Sequence, residues 1–182
     1  MDTFYLELNP PTESQTILGC TDANATNFDS SANVFFADEG GPDNINEFGN
    51  GAFHYNDNFD LIFDCLKEVK IETIDVYAET NFTVEIEILN SQDNPIFSNQ
   101  YSLNQGLNTL PIDFTIGLGT DYKIGVVGTN DGLYRNDNLS ANTYPIAVHD
   151  AISITSNTST NEAFYYYFYN WKLSTDCKYD QT

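Results

Sequence analysis

A two-residue alternation of apolar and polar side chains constrains this chain more than any other feature of its sequence. In residues 82–88, phenylalanine, valine and isoleucine occupy every second position, and threonine and glutamate lie between them. Residues 73–78 alternate in the same way, with Tyr77 on the polar side. A period of two places one side of a strand in the core and the other in solvent. Both segments are therefore predicted to be half-buried β-strands.

Strand-like segments recur along the rest of the chain at intervals of roughly 10–15 residues, as in sandwich domains. They are predicted at residues 96–103, 108–116, 122–127, 152–155 and 163–173. Turn-forming clusters separate them at residues 91–95, 104–106, 117–119, 129–132 and 156–161. Residues 61–69 come closest to a helical pattern, but they are too short and too β-like. The sequence thus predicts an all-β, antiparallel, jelly-roll-like β-sandwich.

The first 41 residues lack this strand pattern. We interpret residues 1–18 as a linker or edge strand and residues 19–41 as a small, acidic, loop-rich unit. Residues 42–182 then form the sandwich domain.

The charge of the chain excludes several classes of partner. The 182 residues contain 27 Asp and Glu against 6 Lys and Arg, a formal net charge of −21. Such a chain repels polyanions, so nucleic acids and anionic membrane surfaces are not expected partners. No apolar segment is long enough to insert in a membrane. Cations, glycans and other proteins remain, and the acidic surface suits an extracellular setting.

The acidic loop supplies the oxygen ligands that calcium prefers. Side-chain oxygens recur every two to three residues at Asp22, Asn24, Asn27 and Asp29, and Asp38 could complete the set. We therefore predict a structural calcium ion here. In the alternative interpretation these side chains form Asx-turns in a surface loop.

The aromatic segment 163–173 offers a candidate ligand platform. A regular strand places Trp171 and Leu173 on the core side and leaves Tyr166, Phe168 and Asn170 on the other side. Exposed rings on a flat sheet can stack on sugar rings. The alternative is a central strand that is covered on both faces.

A second candidate ligand-binding segment contains Tyr134, Arg135 and Asn136, and Arg135 is the only arginine of the chain. In the alternative role, the Arg135 guanidinium acts as a structural fork whose N–H groups bridge carboxylates or carbonyls within the protein. For the three cysteines we predict a Cys65–Cys177 disulfide, because each flanks a strand and these strands are expected to be antiparallel neighbours. The rival pairing joins Cys20 to Cys65.

Motifs of catalysis do not support an enzyme. The sequence contains no G-x-S-x-G elbow, no H-E-x-x-H and no recognisable context for a nucleophilic cysteine. With 27 acids, a catalytic carboxylate pair cannot be singled out. We predict a noncatalytic protein.

Two stretches resemble known families. GCTDANATNFDSSANVFFADEG, residues 19–40, resembles a short repeat of secreted bacterial surface proteins in which two cysteines clamp one loop; the closing cysteine is absent here. KIETIDVYAETNFTVEIEIL, LGTDYKIGVVG, GLYRND, YPIAVHDAISIT and YYYFYNWKL resemble a β-sandwich module of secreted proteins from gliding bacteria, many of which leave the cell by type IX secretion. The resemblance implies a noncatalytic accessory module outside the cell or on its surface.

Two functions follow from these observations. The first is a secreted or cell-surface module that binds a glycan and is stabilised by calcium. The second is a structural or adhesive subunit of a stalk, filament or surface layer, which contacts a neighbouring surface protein or forms a homo-oligomer. An open groove lined by aromatic and amide side chains favours the first. Coverage of Tyr166 and Phe168 by residues 1–41 favours the second.

Overall fold

A computed structural model describes residues 15–37, 40–55, 59–159 and 161–179. These residues form thirteen strands and no helix. The strands are β1 (Phe36–Ala37), β2 (Gly51–Tyr55), β3 (Leu61–Cys65), β4 (Val69–Ala78), β5 (Phe82–Leu89), β6 (Pro95–Leu103), β7 (Gly106–Ile116), β8 (Gly119–Val127), β9 (Asp131–Asn136), β10 (Ile146–Val148), β11 (Ile152–Asn157), β12 (Tyr165–Tyr166) and β13 (Tyr169–Ser174). The described residues contain no helix that could cross a bilayer.

The strands form two antiparallel sheets that pack as a sandwich, which confirms the predicted all-β class. The six-stranded sheet has the order β10-β11-β3-β8-β5-β6. In the seven-stranded sheet, β4 pairs with β7 along one edge and with β13 and then β9 along the other. Strand β1 extends this sheet beyond β13, while β2 and β12 pair with β9.

The strand pairing is nested in the manner of a jelly roll. Strands β5 and β6 form a hairpin, β4 pairs with β7, and β3 pairs with β8. Each successive pair lies in the opposite sheet from the one before it. A rolled-up hairpin of this kind gives a double-sheet jelly roll.

The core lies between the sheets, where the predicted alternation is confirmed. Val84, Ile86 and Ile88 are buried, whereas Glu85 and Glu87 lie on the outer side of β5. From the other sheet, the Trp171 ring meets Phe63 edge-on, with the ring centroids 5.7 Å apart.

The aromatic segment departs from the predicted single strand. It forms two short strands, β12 and β13, because the backbone turns into positive φ at Tyr167 (67°) and again at Asn170 (46°). These turns abolish the simple alternation. As a result, all five aromatic residues from 165 to 169 are fully buried.

The predicted Cys65–Cys177 disulfide is wrong, and so is its rival. The structure pairs Cys20 with Cys177, with a Cα–Cα distance of 5.1 Å, and leaves Cys65 as a buried free thiol. The premise about the strands is correct, since β4 and β13 are antiparallel neighbours. However, Cys65 ends β3 in the opposite sheet, whereas the segment after β13 runs toward the N-terminal loop. Burial raises the pKa of the Cys65 thiol to about 11.

Hydrogen bonds reinforce this terminal clasp, the name we use for the Cys20–Cys177 disulfide and the contacts around it. Asn27 donates to the Asp176 carbonyl at 2.8 Å and accepts from the Lys178 N–H at 2.7 Å. The Tyr179 hydroxyl donates to Asp22 at 2.7 Å. The N-terminal unit is also joined to the sandwich through β1, and Leu18 is fully buried in the core.

Candidate functional site

A row of apolar and aromatic side chains crosses four strands on the outer face of the seven-stranded sheet. Phe53 of β2 lies opposite Tyr134 of β9, and Tyr77 of β4 lies opposite Leu107 of β7. The single pairing of Ala78 with Leu133 joins the two halves, because it brings Tyr77 beside Tyr134. We call these four residues the aromatic face. With neighbouring strands about 4.8 Å apart, the row is roughly 14 Å long.

The aromatic face is only partly covered. Phe53, Tyr77 and Tyr134 are each half-buried, and Leu107 is 55% exposed. The Phe53 and Tyr134 rings meet edge-on, with their centroids 5.4 Å apart. Burial, followed by the charge of Asp137, raises the pKa of Tyr134, and burial followed by the charge of Asp75 raises that of Tyr77. Both hydroxyls are therefore neutral donors at physiological pH.

A notch adjoins the row on the same face, at Gly132. The backbone N–H of Glu79 donates to the Gly132 carbonyl at 2.9 Å, which fixes Glu79 beside the glycine. A Cβ atom at position 132 would lie 3.2 Å from Cβ of Glu79 and 3.3 Å from the ring of Tyr55. Gly132 also has a φ of 108°, which side chains rarely adopt. Glycine is therefore needed where Tyr55 and Glu79 pack over the sheet, and we call these three residues the acidic notch.

The carboxylate of the acidic notch is incompletely satisfied. Its Oε2 atom is buried and accepts no hydrogen bond from any residue that the structure describes. Tyr55, on the other side of the glycine, is 53% exposed. A buried carboxylate oxygen without a donor costs stability, because its desolvation is not compensated by a hydrogen bond.

A second polar group borders the aromatic face at Asn170, which the sequence predicted as a ligand-binding residue. Its amide donates to Asp75 at 2.9 Å, and the hydroxyl of Thr109 donates to the other oxygen of Asp75 at 2.5 Å. The amide oxygen of Asn170 is buried and has no donor among the residues in the described ranges. Of the three residues predicted in the aromatic segment, Asn170 alone lies beside the partly open face.

The other two predicted platform residues, Tyr166 and Phe168, are fully buried, so the predicted platform is wrong at these positions. The Tyr166 ring packs against Phe59 and Phe164, with centroid distances of 5.3 and 6.1 Å. The alternative of a segment covered on both faces is confirmed. The covering rings come from outside residues 1–41.

The three residues of the predicted ligand-binding segment, Tyr134–Asn136, differ in their exposure. Tyr134 belongs to the aromatic face, but Arg135 and Asn136 are buried and hold the fold together. The Arg135 guanidinium lies 3.9 Å from the centroid of the Phe164 ring and donates to Asp137 at 2.6 Å. The structural-fork alternative therefore describes Arg135 correctly.

Asn136 lies beside Tyr134 on the same face of β9 and holds the neighbouring segment in place. Its amide donates to the carbonyls of Ile45 at 2.8 Å and Gly49 at 3.2 Å, and its oxygen accepts from the Tyr169 hydroxyl at 2.8 Å. Burial raises the pKa of Tyr169 well above its usual value, so this hydroxyl remains a donor.

The side chains predicted to bind calcium make Asx-turns and clasp contacts. Asp22 accepts from the backbone N–H of Asn24 at 2.9 Å, and Asp29 accepts from that of Ser31 at 2.9 Å. The Asn24 N–H and the Tyr179 hydroxyl hold the pKa of Asp22 below its usual value. Asn27 belongs to the terminal clasp.

Asp38, the fifth predicted calcium ligand, lies outside the described residues. Within the described ranges, no three His, Cys, Asp or Glu side chains converge as metal ligands.

The fold and site define the class of protein: an all-β sandwich with a partly open aromatic face on one sheet. Comparisons with protein-family models, with curated proteins and with solved structures give no match.

Six residues of the site were not predicted, namely Phe53, Tyr55, Tyr77, Glu79, Leu107 and Gly132. The alternation in residues 73–78 already put Tyr77 on the outward side of its strand, which is the signal that could have identified it. Phe53 and Tyr55 also alternate with smaller or polar neighbours in residues 51–55. An aromatic ring on the polar side of a strand is a better indicator of a surface site than a run of rings.

Proposed function

We propose that this chain is a noncatalytic extracellular module that binds a glycan chain on the aromatic face. The observation that carries the proposal is the cross-strand row of half-buried rings, which extends across four strands on the outer face of the sheet. The apolar faces of sugar rings pack on such rings, and hydroxyl groups pair with amides and carboxylates at the border. The hydroxyl groups of Tyr77 and Tyr134, whose side chains are half-buried, supply such polar groups.

The charge supports a neutral or cationic ligand. A net charge of −21 repels polyanionic chains such as nucleic acids and sulfated or uronic-acid polymers. The disulfide is compatible with an oxidising, extracellular environment. Calcium stabilisation through Asp22, Asn24, Asn27 and Asp29 remains part of this proposal. It predicts a lower melting temperature in EDTA than in millimolar calcium.

Binding of neutral and cationic oligosaccharides to the wild type and to Phe53→Ala tests the proposed function. Phe53 lies in β2, so its ring can be removed with little change to the core. We expect roughly tenfold weaker binding, because ring stacking and the apolar contact are both lost. Phe35→Ala is the matched control, since Phe35 is 62% exposed and lies on the edge of the N-terminal unit. Equal binding by both variants would contradict the proposal.

A structural or adhesive subunit is the second candidate function. Phe28, Phe35 and Phe36 are 45%, 62% and 41% exposed, and they lie in the N-terminal unit near the short strand β1. Exposed rings at a sheet edge favour contacts with a neighbouring protein or with another copy of the chain. Sedimentation of the wild type and of Phe35→Ser distinguishes this function, since a subunit of an oligomer or filament should dissociate in the variant.

A further inference from the structure

We propose that a second copy of this chain docks on the outer edge of β6, so that two chains form a symmetric dimer through antiparallel strand pairing. This dimer is independent of the glycan function, because β6 belongs to the six-stranded sheet and the aromatic face lies on the other sheet. Three features of β6 support the dimer: its open backbone groups, its lack of charge and the contrast with the other sheet edges.

The outer edge of β6 is open within the part of the chain that the structure describes. The six-stranded sheet ends at β6, which pairs with β5 on one side and with no described strand on the other. Ser98, Gln100 and Ser102 are exposed. The backbone N–H of Gln100 donates to the exposed side chain of Asn99 at 3.0 Å, so it points away from β5. Because backbone direction alternates along a strand, Ser98 and Ser102 turn their N–H and C=O groups the same way.

This edge lies in the longest stretch of the chain without a charged residue. No Asp, Glu, Lys, Arg or His occurs from Asn94 to Ile112, although the net charge of the chain is −21. Surfaces that carry many carboxylates repel a second copy, and this edge does not. The nearest carboxylate opposite the middle of β6 is Glu85 on β5, which accepts a hydrogen bond from Ser98 at 2.5 Å.

The distance between the two copies of Glu85 limits their repulsion. Glu85 pairs with Gln100, so a dimer centred on Gln100 separates the two Glu85 residues by three strand spacings. Three spacings amount to about 14 Å, which exceeds the Debye length of about 8 Å at physiological ionic strength. The repulsion is therefore largely screened.

The other sheet edges are interrupted or short. Strand β7, at the edge of the seven-stranded sheet, contains Pro111, which has no N–H, and a positive φ of 51° at Asp113 beside a register shift. Strand β10, at the opposite edge of the six-stranded sheet, has only three residues. Proline, bulges and short strands block edge-to-edge pairing. Strand β6 has none of these from Phe97 onward.

A symmetric pairing centred on Gln100 uses this edge most fully. It aligns residues 97–103 of one chain with the same residues of the second copy in the opposite direction. Ser98 then exchanges backbone hydrogen bonds with Ser102 of the second copy, and the two Gln100 residues exchange theirs, about six bonds in all. No charged residue opposes another. An interface of this small size should give a weak, reversible dimer with a Kd on the order of 100 µM.

The dimer has a consequence for the aromatic face. The two-fold axis of an antiparallel strand pair is perpendicular to the sheet, so the two six-stranded sheets become one continuous sheet. The seven-stranded sheets of both copies then lie on the same side of it. This consequence rests on the proposed function: two aromatic faces that point the same way can bind one polymeric ligand bivalently.

Analytical ultracentrifugation of the wild type from about 10 µM to about 1 mM tests the dimer, and it should show a reversible equilibrium of monomer and dimer. Raising the salt concentration from about 0.05 M to about 0.5 M should strengthen dimerisation, because salt screens the repulsion between two acidic chains. A contact made by ion pairs would weaken instead.

Gln100→Pro tests the backbone contact. It removes the outward N–H and places the proline ring on the edge, while the hydrogen bonds to β5 remain, and it should weaken dimerisation at least about tenfold. Gln100→Ala is the matched control, because it keeps the N–H and should dimerise like the wild type. Circular dichroism establishes that both variants are folded.

Hydrogen exchange of the wild type locates the contact without any substitution, so it tests the proposal even if Gln100→Pro does not fold. The amides of Ser98, Gln100 and Ser102 should exchange about fourfold more slowly at 1 mM than at 10 µM, as a Kd on the order of 100 µM implies. Amides of β10 and β7 should not depend on concentration.

Four results overturn the proposal. They are a wild type that remains monomeric at 1 mM, dimerisation that weakens as salt is added, and equal dimerisation by Gln100→Pro and Gln100→Ala. The fourth is a dimer that dissociates in Phe35→Ser without any concentration-dependent exchange in β6, which would place the contact on the N-terminal unit. None of these results bears on glycan binding, so the proposed function is tested separately.

Discussion

The two outer faces of the sandwich satisfy their polar side chains in different ways. On the six-stranded sheet, Glu85 accepts hydrogen bonds from Ser98 at 2.5 Å and from Gln100 at 3.5 Å across the β5–β6 hairpin. On the seven-stranded sheet, half-buried rings stand beside Glu79, whose Oε2 atom has no donor in the described structure. A ligand on the first face must compete with bonds that already exist. A ligand on the second face meets partly exposed rings instead.

The six-stranded face has one exception to this rule, at Asp60. Its carboxylate lies over Gly125, where a Cβ atom would come within 1.7 Å of Oδ1, and Gly125 pairs with Glu87. Burial, and then the charge of Glu87, raises the pKa of Asp60 to about 6. On each face, therefore, one carboxylate packs against a glycine: Asp60 against Gly125 and Glu79 against Gly132.

The largest expected effect separates the aromatic face from the terminal clasp, which lies beyond the end of β13. Replacing both Cys20 and Cys177 by serine should lower the free energy of unfolding by about 4 kcal/mol, because the disulfide closes a loop with a sequence separation of 157. Urea unfolding measures this loss.

Cys65→Ala is the control for the double variant, and it should cost only about 1 kcal/mol for the lost packing. Peptide mapping without reductant should yield a single disulfide peptide that joins Cys20 to Cys177. Equal stability of the double variant and Cys65→Ala would contradict a stabilising role for the Cys20–Cys177 disulfide. Glycan binding should survive in the fraction of the double variant that remains folded.

The next effect compares the buried hydrogen bonds of Asn136, beside the aromatic face, with an exposed hydrogen bond on the opposite face. Asn136→Ala removes three hydrogen bonds from a fully buried side chain and should cost about 3 kcal/mol. Gln100→Ala removes an exposed bond to Glu85 and should change stability by less than about 0.5 kcal/mol. Thermal or urea unfolding of the two variants measures these changes. Similar losses of stability would show that the two faces do not differ in this respect.

A pH measurement tests the exception at Asp60. Because its folded pKa of about 6 exceeds the usual 3.8, the folded state holds this proton more tightly than the unfolded chain does. The contribution of Asp60 to stability is therefore present at low pH and is lost as pH rises from about 4 to about 6. Asp60→Asn should stabilise the protein at pH 7 by about 1–2 kcal/mol, after allowance for partial solvent screening.

The same Asp60→Asn difference should vanish near pH 4. Unfolding free energies of the wild type and the variant, measured across this range, isolate Asp60 from the other carboxylates. A difference that is independent of pH would show that the folded carboxyl has an ordinary pKa.

The smallest effect concerns the acidic notch itself. Glu79→Gln replaces a half-buried carboxylate that has an unsatisfied oxygen, and it should raise the free energy of unfolding by about 0.5 kcal/mol. The variant would then be slightly more stable than the wild type. Differential scanning calorimetry checks the sign, and a destabilised Glu79→Gln would mean that the carboxylate supports the fold.

The sequence predicted the strands better than the surfaces between them. Alternation in β4 and β5 depends on local burial, so it is visible in a single chain, and both strands are confirmed. The aromatic face depends on the lateral alignment of four strands. Phe53 and Tyr77 are 24 positions apart, and only the pairing of Ala78 with Leu133 brings their strands together.

The errors have physical causes of the same kind. A regular strand predicts an open side for Tyr166, and the positive φ at Tyr167 breaks that regularity. The predicted disulfide is wrong because Cys65, although close to β4 along the chain, belongs to β3. The turn at residues 66–68 carries the chain from one sheet to the other. Cys65, the last residue of β3, and Val69, the first residue of β4, therefore lie in different sheets.

The terminal clasp has a mechanical consequence. Tension applied to the chain outside residues 20 and 177 passes through the covalent Cys20–Cys177 bond rather than through the hydrogen bonds of either sheet. The strands between these residues carry no load, so the sandwich is shielded from forced unfolding while the bond is intact. After reduction, the same pull reaches the short pairing of β1 with β13 at the edge of the sheet. The aromatic face can therefore keep its shape while the chain on either side is stretched.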